Sequence, residues 1–354
     1  MPLLARLIAI AVAIWSAQAL AQTRPNCDAP AKLNDEWSVS RPEEQGLDPT
    51  LICAIGSRLD AWNDANVHAV VVVRHGALVY ERYFAGEDQL WGKPLGRVVY
   101  NADMLHDLRS VTKSVTSLVV GIALDRGWIK DLDAPVLSFF PEYADLRNPE
   151  KDRITLRHLL MMSTGFLWDE NIPYTNPDNS EIRLYEAADP YRYVLERPVA
   201  DPPGKIFNYV TGAPSVIGAV LHKATGKQID QLEKEALFAP LGITDAAWIK
   251  FDNGDTMAGG GLRLRPRDLA KIGQLVLARG TWQGQQIVSA AWIDQSTAPR
   301  LNAYSMYFYG YFWWLGRSLV DGRQVDWIKG SGYGGQRLFI VPSEDIVMVV
   351  TAGR

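Results

Sequence analysis

The chain has 354 residues, 47% of them apolar and 21% charged, with a formal net charge of −4. That length buries a large core in one big domain or two interleaved ones, and the composition excludes wholesale disorder. Thirty-six basic residues against forty acidic ones leave no excess to neutralise phosphates, so nucleic acid is not an expected partner. Five histidines and two cysteines exclude a metal-rich or disulfide-dense scaffold.

Arg6 precedes a short apolar run, Leu7 to Trp15, and small residues at A-x-A spacing follow in Ala19-Leu20-Ala21. This layout predicts a signal peptide over residues 1–21, cleaved after Ala21, and an exported protein, periplasmic or secreted. The run is too short to span a bilayer, so no stable membrane insertion is expected after cleavage. In an oxidising compartment Cys27 and Cys53 either pair as a disulfide, tying the N-terminal arm to the first helix, or remain two buried thiols.

Periodicity places a helix around Leu51–Ala65. Two strands follow, His68–Arg74 and Leu78–Phe84, joined at His75-Gly76 as an antiparallel hairpin. A helical pattern runs from Ser110 to Arg126, closed by Gly127. Residues 130–275 read as mainly helical, interrupted by loops such as Asn171–Asn179. Gly259-Gly260-Gly261 introduces a further helix, Pro266–Ala278. The tail returns to strands at Tyr309–Leu315, Gln324–Lys329, Leu338–Val341 and Ile346–Thr351. Strands at both ends with helices between them predict an α+β fold. In it an antiparallel sheet from both termini is flanked by helices and carries an inserted, mainly helical lobe, with a cleft between the two parts as the binding site. The sheet lobe takes residues of about 22–105 and 280–354, and the helical lobe about 106–279.

The chain has no G-x-S-x-G, H-E-x-x-H or P-loop pattern. Its single S-x-x-K, Ser110-Val111-Thr112-Lys113, opens an apolar helix, so Lys113 lies one turn from Ser110 on nearly the same face. Desolvation and the helix dipole both disfavour a charged lysine there, and a neutral amine accepts the serine proton. The alternative is an N-cap serine followed by a solvated lysine. His158 and His222 sit in apolar helices and read as structural. Asp169, beside Trp168, reads as a solvated loop carboxylate or an anchor for a substrate amine.

The segment His106 to Ser114 resembles the active-site segment of the serine β-lactamase-like superfamily, which includes class C β-lactamases, D,D-peptidases, esterases and 6-aminohexanoate-oligomer hydrolases. Ile154–Gly165, Pro203–Tyr209 and Gly259–Asp268 resemble further segments of that family, in its order. The resemblance implies a β-lactamase/transpeptidase-like fold in which Ser110 is the nucleophile, Lys113 and Tyr209 move protons, and the backbone N–H groups of Ser110 and Tyr333 hold the oxyanion. A phenol beside an ammonium is expected to be stabilised as phenolate. No metal or organic cofactor is required. Where the family usually has Tyr-x-Asn this chain has Tyr209-Val210-Thr211, which replaces a carboxamide by a hydroxyl. Its Lys-Thr-Gly or His-Thr-Gly strand corresponds to Gly330-Ser331-Gly332, without the cation, and the neighbouring Lys329 is one residue out of register.

Thr211, Gly330, Ser331, Gly332 and Trp168 are therefore the candidate substrate-binding residues. Tyr174, Tyr304, Tyr307, Tyr309, Trp313 and Trp314 are candidate linings of an apolar acyl pocket. The expected activity is hydrolysis of a small-molecule ester or amide through a Ser110 acyl-enzyme, as in a carboxylesterase or a 6-aminohexanoate-oligomer hydrolase. The rivals are a β-lactamase or D,D-peptidase and a non-catalytic envelope binding protein of the same fold. The resemblance also implies a helix after the last strand, which Val349–Arg354 leaves no residues to form. The sequence is expected to be a C-terminally shortened form of a longer protein.

Overall fold

The computed structural model describes residues 27–62 and 64–353, so the leader expected at residues 1–21 lies outside the described residues. Its strands are β1 (Ser38–Val39), β2 (Val67–Arg74), β3 (Ala77–Tyr83), β4 (Ala85–Leu90), β5 (Lys93–Val99), β6 (His106–Asp107), β7 (Ala247–Trp248) and β8 (Leu262–Leu264). After the helical region come β9 (Thr281–Trp282), β10 (Gln285–Gln286), β11 (Leu301–Asn302), β12 (Phe308–Tyr309), β13 (Trp314–Val320), β14 (Arg323–Gly332), β15 (Gln336–Val341) and β16 (Ile346–Ala352). The helices are α1 (Pro49–Asp60), α2 (Thr112–Asp125), α3 (Leu156–Leu160), α4 (Ser180–Glu186), α5 (Pro190–Leu195), α6 (Gly212–Thr225), α7 (Ile229–Leu232), α8 (Pro266–Leu277) and α9 (Ala290–Ser296).

The two ends of the chain meet in one nine-stranded sheet, ordered β1-β3-β2-β16-β15-β14-β13-β12-β11. Every neighbouring pair is antiparallel except the two-residue edge pairing of β1 with β3. The unbroken valine run Val70–Val73 suits β2 because both of its faces are covered. Val71 and Val73 belong to the main core, while Val70 and Val72 pack with Ile52, Ile55 and Leu59 of α1. Cys53 of α1 is bonded to Cys27, which ties the N-terminal arm to that helix. Among the described residues no helix is long and apolar enough to cross a membrane.

The structure departs from the expected elements in four places. The strand expected at Tyr309–Leu315 is split into β12 and β13. Between them Phe312 adopts φ +61°, and the backbone N–H groups of Tyr311 and Phe312 leave the sheet to donate to Ser296 and Leu160 carbonyls. The β4–β5 hairpin carries Glu87, Asp88, Gln89, Lys93 and Arg97, so it shows no apolar alternation to read. The two-residue strand β6 pairs with β8, which also pairs with β7, in a small separate sheet. That sheet fixes the segment leading into Ser110. The helix expected from Ser110 starts as a 3-10 turn, Arg109–Val111, and becomes α2 at Thr112. Residues Thr112 to Ala123 of α2 are all buried, because the helix runs between the sheet and the helical lobe.

Candidate active site

Ser110 sits on the 3-10 turn ahead of α2, partly exposed, with its backbone set by the residue before it. Arg109 has φ +50°, a conformation that costs a non-glycine residue about 1–3 kcal/mol and persists only when its surroundings impose it. Those surroundings are specific. The Arg109 guanidinium lies 4.5 Å from the centroid of the Trp91 ring and 3.4 Å from the Asp107 carboxylate. Asp107 is itself paired with Arg263 at 2.8 Å and accepts the Trp91 backbone N–H at 3.0 Å.

Lys113, one turn on, is 1% exposed. Its Nζ is 3.0 Å from Ser110 Oγ, 3.4 Å from Thr211 Oγ1 and 2.7 Å from the Gly259 carbonyl. Burial pulls its pKa down to about 8, against the opposing pull of Glu170 and Glu181. The hydrogen-bond directions then aim the amine. The Gly259 carbonyl only accepts, and Thr211 spends its hydroxyl proton on Glu170 Oε1 at 2.8 Å, so it too accepts from Lys113. A neutral amine has two N–H bonds and one lone pair, so the lone pair faces Ser110. Gly259 is required by close approach: a Cβ there would stand 2.7 Å from the Thr211 carbonyl oxygen.

The Tyr209 ring centroid is 4.9 Å from Lys113 Nζ, and its hydroxyl interacts with the Ser110 side chain. The ring stacks on Trp314 at 5.9 Å. Burial holds the phenol well above its ordinary value, which corrects the expectation of a stabilised phenolate. Desolvation, reinforced by Tyr309 and Glu170, outweighs the hydrogen bond with Ser110, so the phenol is held neutral.

Glu170 is a residue that sequence reasoning passed over. It accepts from the Thr211 N–H at 2.9 Å, the Thr211 hydroxyl and the Trp168 indole at 2.6 Å. Burial and the nearby Glu181 raise its pKa to about 7, while Lys113 opposes them. The acidic pair Asp169-Glu170 was visible, but the structure turns Asp169 to solvent and Glu170 inward. Removing the Glu170 charge takes away a group that raises the Lys113 pKa. A Glu170→Gln variant is thus expected to move the acidic limb of the kcat/KM profile down by about one pH unit, read from initial rates across pH 5–10.

Two cavities of about 270 and 440 Å³ open on this centre, and both are lined by Ser110, Tyr174, Glu181 and Tyr333. The smaller adds Trp91, Tyr185 and Gly260, and the larger adds Glu170, Tyr209, Thr211, Ser331, Gly332 and Arg337. Tyr304 and Trp314 also line the larger one, whereas Tyr309 and Trp313 are buried in the core. Glu181 is held in the wall by the hydroxyls of Tyr174, at 2.9 Å, and Tyr185.

Two expected substrate contacts are corrected. Trp168 is 4% exposed and lines neither cavity; its indole serves to hold Glu170. Gly330 faces the 3-10 turn and the start of α2, where a Cβ would meet Val111 at 3.0 Å and Ser114 at 3.3 Å, and it lies off the cavity walls. Gly332 is the close-approach glycine of this strand, since a Cβ there would be 2.4 Å from the Leu108 carbonyl oxygen. Lys329 stacks among Tyr307, Trp327 and Phe339. A different cation, Arg337 of β15, pairs across the ladder with Ser331 and reaches the larger cavity. Its guanidinium donates to the Gly332 and Gln336 carbonyls at 2.7 Å each.

Residues 62–354 match the family model described as Beta-lactamase. The chain is 28% identical over 222 residues to Esterase EstB of Burkholderia gladioli, covering 57% of this chain and 55% of that protein. It is 26% identical over 304 residues to a 6-aminohexanoate-dimer hydrolase of Paenarthrobacter ureafaciens, covering 79% and 71%. The chain thus spans only about half the length of the Burkholderia esterase. Its fold is similar to that of the octameric penicillin-binding protein homologue from Pyrococcus abyssi, with a TM-score of 0.64 and 19% identity over 87% of this chain and 74% of that one.

Proposed function

Because the chain belongs to the Beta-lactamase family and has the β-lactamase/transpeptidase-like fold, we propose that it hydrolyses a small ester or amide through an acyl-enzyme on Ser110. The observation that carries this reading is the 3.0 Å contact between Ser110 Oγ and a buried lysine whose lone pair faces it. Lys113 takes the Ser110 proton as Oγ attacks the carbonyl. The backbone N–H groups of Ser110 and Tyr333 receive the oxyanion, and Tyr209 hands a proton to the leaving group. The Lys113 ammonium then returns its proton to the Tyr209 phenolate; water attacks the acyl-enzyme, passing a proton to the neutral Lys113, which hands it to Ser110 Oγ as the acid departs.

The two cavities meeting at Ser110 suit a substrate with a group on each side of its scissile bond. Glu170 and Glu181 on the walls favour a substrate end that carries an amine, as in an oligoamide of amino acids, while the aromatic lining favours an apolar acyl chain. An exported location, periplasmic or secreted, is part of this proposal, and the Cys27–Cys53 bond is consistent with it. A β-lactamase or D,D-peptidase activity is the second reading. Arg337 opposite Ser331 favours it by offering an anchor to a substrate carboxylate.

The test is mass spectrometry after incubation with a fluorophosphonate or a p-nitrophenyl ester. One adduct is expected, on Ser110, and none in Ser110→Ala. Undiminished ester turnover by that variant would overturn the proposal. Nitrocefin hydrolysis that disappears with Ser110→Ala would move the second reading ahead of the first.

A further inference from the structure

Behind the active site, three strands bring His68 of β2, Asp88 of β4 and His106 of β6 together. One ligand atom from each lies within 4.8 Å of the others. Both histidines are buried, and their rings face each other with His68 Nδ1 2.8 Å from His106 Nε2. That contact looks like a hydrogen bond until the protons are assigned.

His68 Nε2 lies 3.2 Å from the Glu87 carbonyl and 3.3 Å from Asn66 Oδ1. A carbonyl only accepts. The Asn66 amide cannot be turned round either, because its Nδ2 donates to the Glu87 carbonyl at 2.7 Å. The proton of His68 is therefore on Nε2. His106 Nδ1 lies 3.0 Å from the Asp107 carbonyl, so the proton of His106 is on Nδ1. In the neutral rings, His68 Nδ1 and His106 Nε2 are then both lone pairs, aimed at each other across 2.8 Å. Two facing acceptors repel unless something positive stands between them.

A third proton shared between the rings is one answer. A metal cation is the other, and the surroundings are those of a metal site. Each imidazole donates its remote N–H to a backbone carbonyl, the arrangement that orients a metal-ligating histidine. The Asp88 carboxylate is held by the Tyr100 hydroxyl, and the Tyr100 ring stacks on His68 at 4.5 Å. Beside Asp88 and His106 lies a cavity of about 10 Å³, near the least space that admits one water. Two imidazoles, one carboxylate and a water make a four-coordinate set of the zinc type. For a tetrahedral zinc ion the two ring nitrogens would separate to about 3.3 Å, and each ring would turn so that its lone pair meets the ion off the line between them.

We propose that His68, Asp88 and His106 form a binding site for a divalent cation of the zinc class, with water as its fourth ligand. The ion would join the β4–β5 hairpin, which carries Trp91, to the central sheet and to the segment that enters Ser110. It lies outside the acyl-transfer set, so it would act as a staple for that segment rather than as a reactant.

The test is a titration of the chelator-treated full protein with Zn²⁺ or Co²⁺. Expected are one equivalent bound, the visible absorption of four-coordinate Co²⁺, and a melting temperature that rises with Zn²⁺. Asp88→Asn keeps a partner for Tyr100 but loses the ligand charge, and it is expected to weaken binding by at least about tenfold, the smallest loss seen when even an outer-shell partner is removed. His68→Gln should abolish the Co²⁺ spectrum. If His68→Gln does not fold, Asp88→Asn decides. No stoichiometric binding by the wild-type protein, or equal affinity in Asp88→Asn, would overturn the proposal.

Discussion

A Lys113→Met variant is expected to lose about 10³- to 10⁴-fold in kcat/KM on a p-nitrophenyl ester while remaining folded. Methionine fills much of the same buried volume but supplies no lone pair to Ser110 Oγ, so the serine must ionise unaided. The pH behaviour follows from the same burial. With Lys113 titrating near 8, the wild-type rate should rise as pH increases through about 8, where the amine becomes neutral. The stability consequence has the opposite sign to that of an ion pair. Between about pH 8 and the usual lysine range near 10.4 the unfolded chain binds the proton that the folded chain has released, so stability rises with pH across that window. Below pH 8 the buried ammonium costs the fold about 3 kcal/mol, and the methionine variant should be free of this dependence. Urea unfolding at pH 7 and at pH 9.5, with stopped-time ester assays at the same values, checks both halves. A variant that keeps more than a tenth of the wild-type rate, or a wild-type protein whose rate falls through pH 8, would remove Lys113 from the role of base.

Tyr209→Phe is expected to cost about 10²-fold on an alkyl ester and much less on a p-nitrophenyl ester. The phenyl ring preserves the stack on Trp314 and the contacts with Phe207 and Tyr309, so only the hydroxyl is lost. Because burial keeps that hydroxyl protonated, its contribution in the proposed mechanism is a proton given to the departing oxygen or nitrogen. An alkoxide leaving group needs that proton and a nitrophenolate does not. Equal losses on the two esters would point instead to a role in positioning Ser110.

The parts of this arrangement that local pattern could reveal are those that lie close together in the chain. Ser110 and Lys113 are one turn apart, and the hairpin around His75-Gly76 announces itself by its flanking apolar runs. The antiparallel sheet built from both termini was also visible as strand signals at each end. The acidic side of the site was not. Glu170 and Asp169 are adjacent and chemically alike, and which of them turns inward depends on Thr211 and the Trp168 indole, partners supplied by tertiary packing. Trp168 shows the reverse error, since an aromatic beside a candidate loop turned out to be buried support. Arg337 was hidden for a related reason. The cation missing at Gly330 is offset by a residue opposite Ser331 on the next strand, and only the ladder register brings the two together. The β4–β5 hairpin, with Trp91 and Asp88, is polar on both faces and carries no periodic signal at all.

The left-handed conformation at Arg109 has a consequence for anyone trying to improve this protein. Glycine adopts φ +50° without penalty, so a screen that rewards heat resistance alone will tend to relax the chain at residue 109. The same change would discard the guanidinium that grips Trp91 and Asp107, and with it the tension that presents Ser110. Robustness and turnover pull against each other at this single position, one residue ahead of the proposed nucleophile.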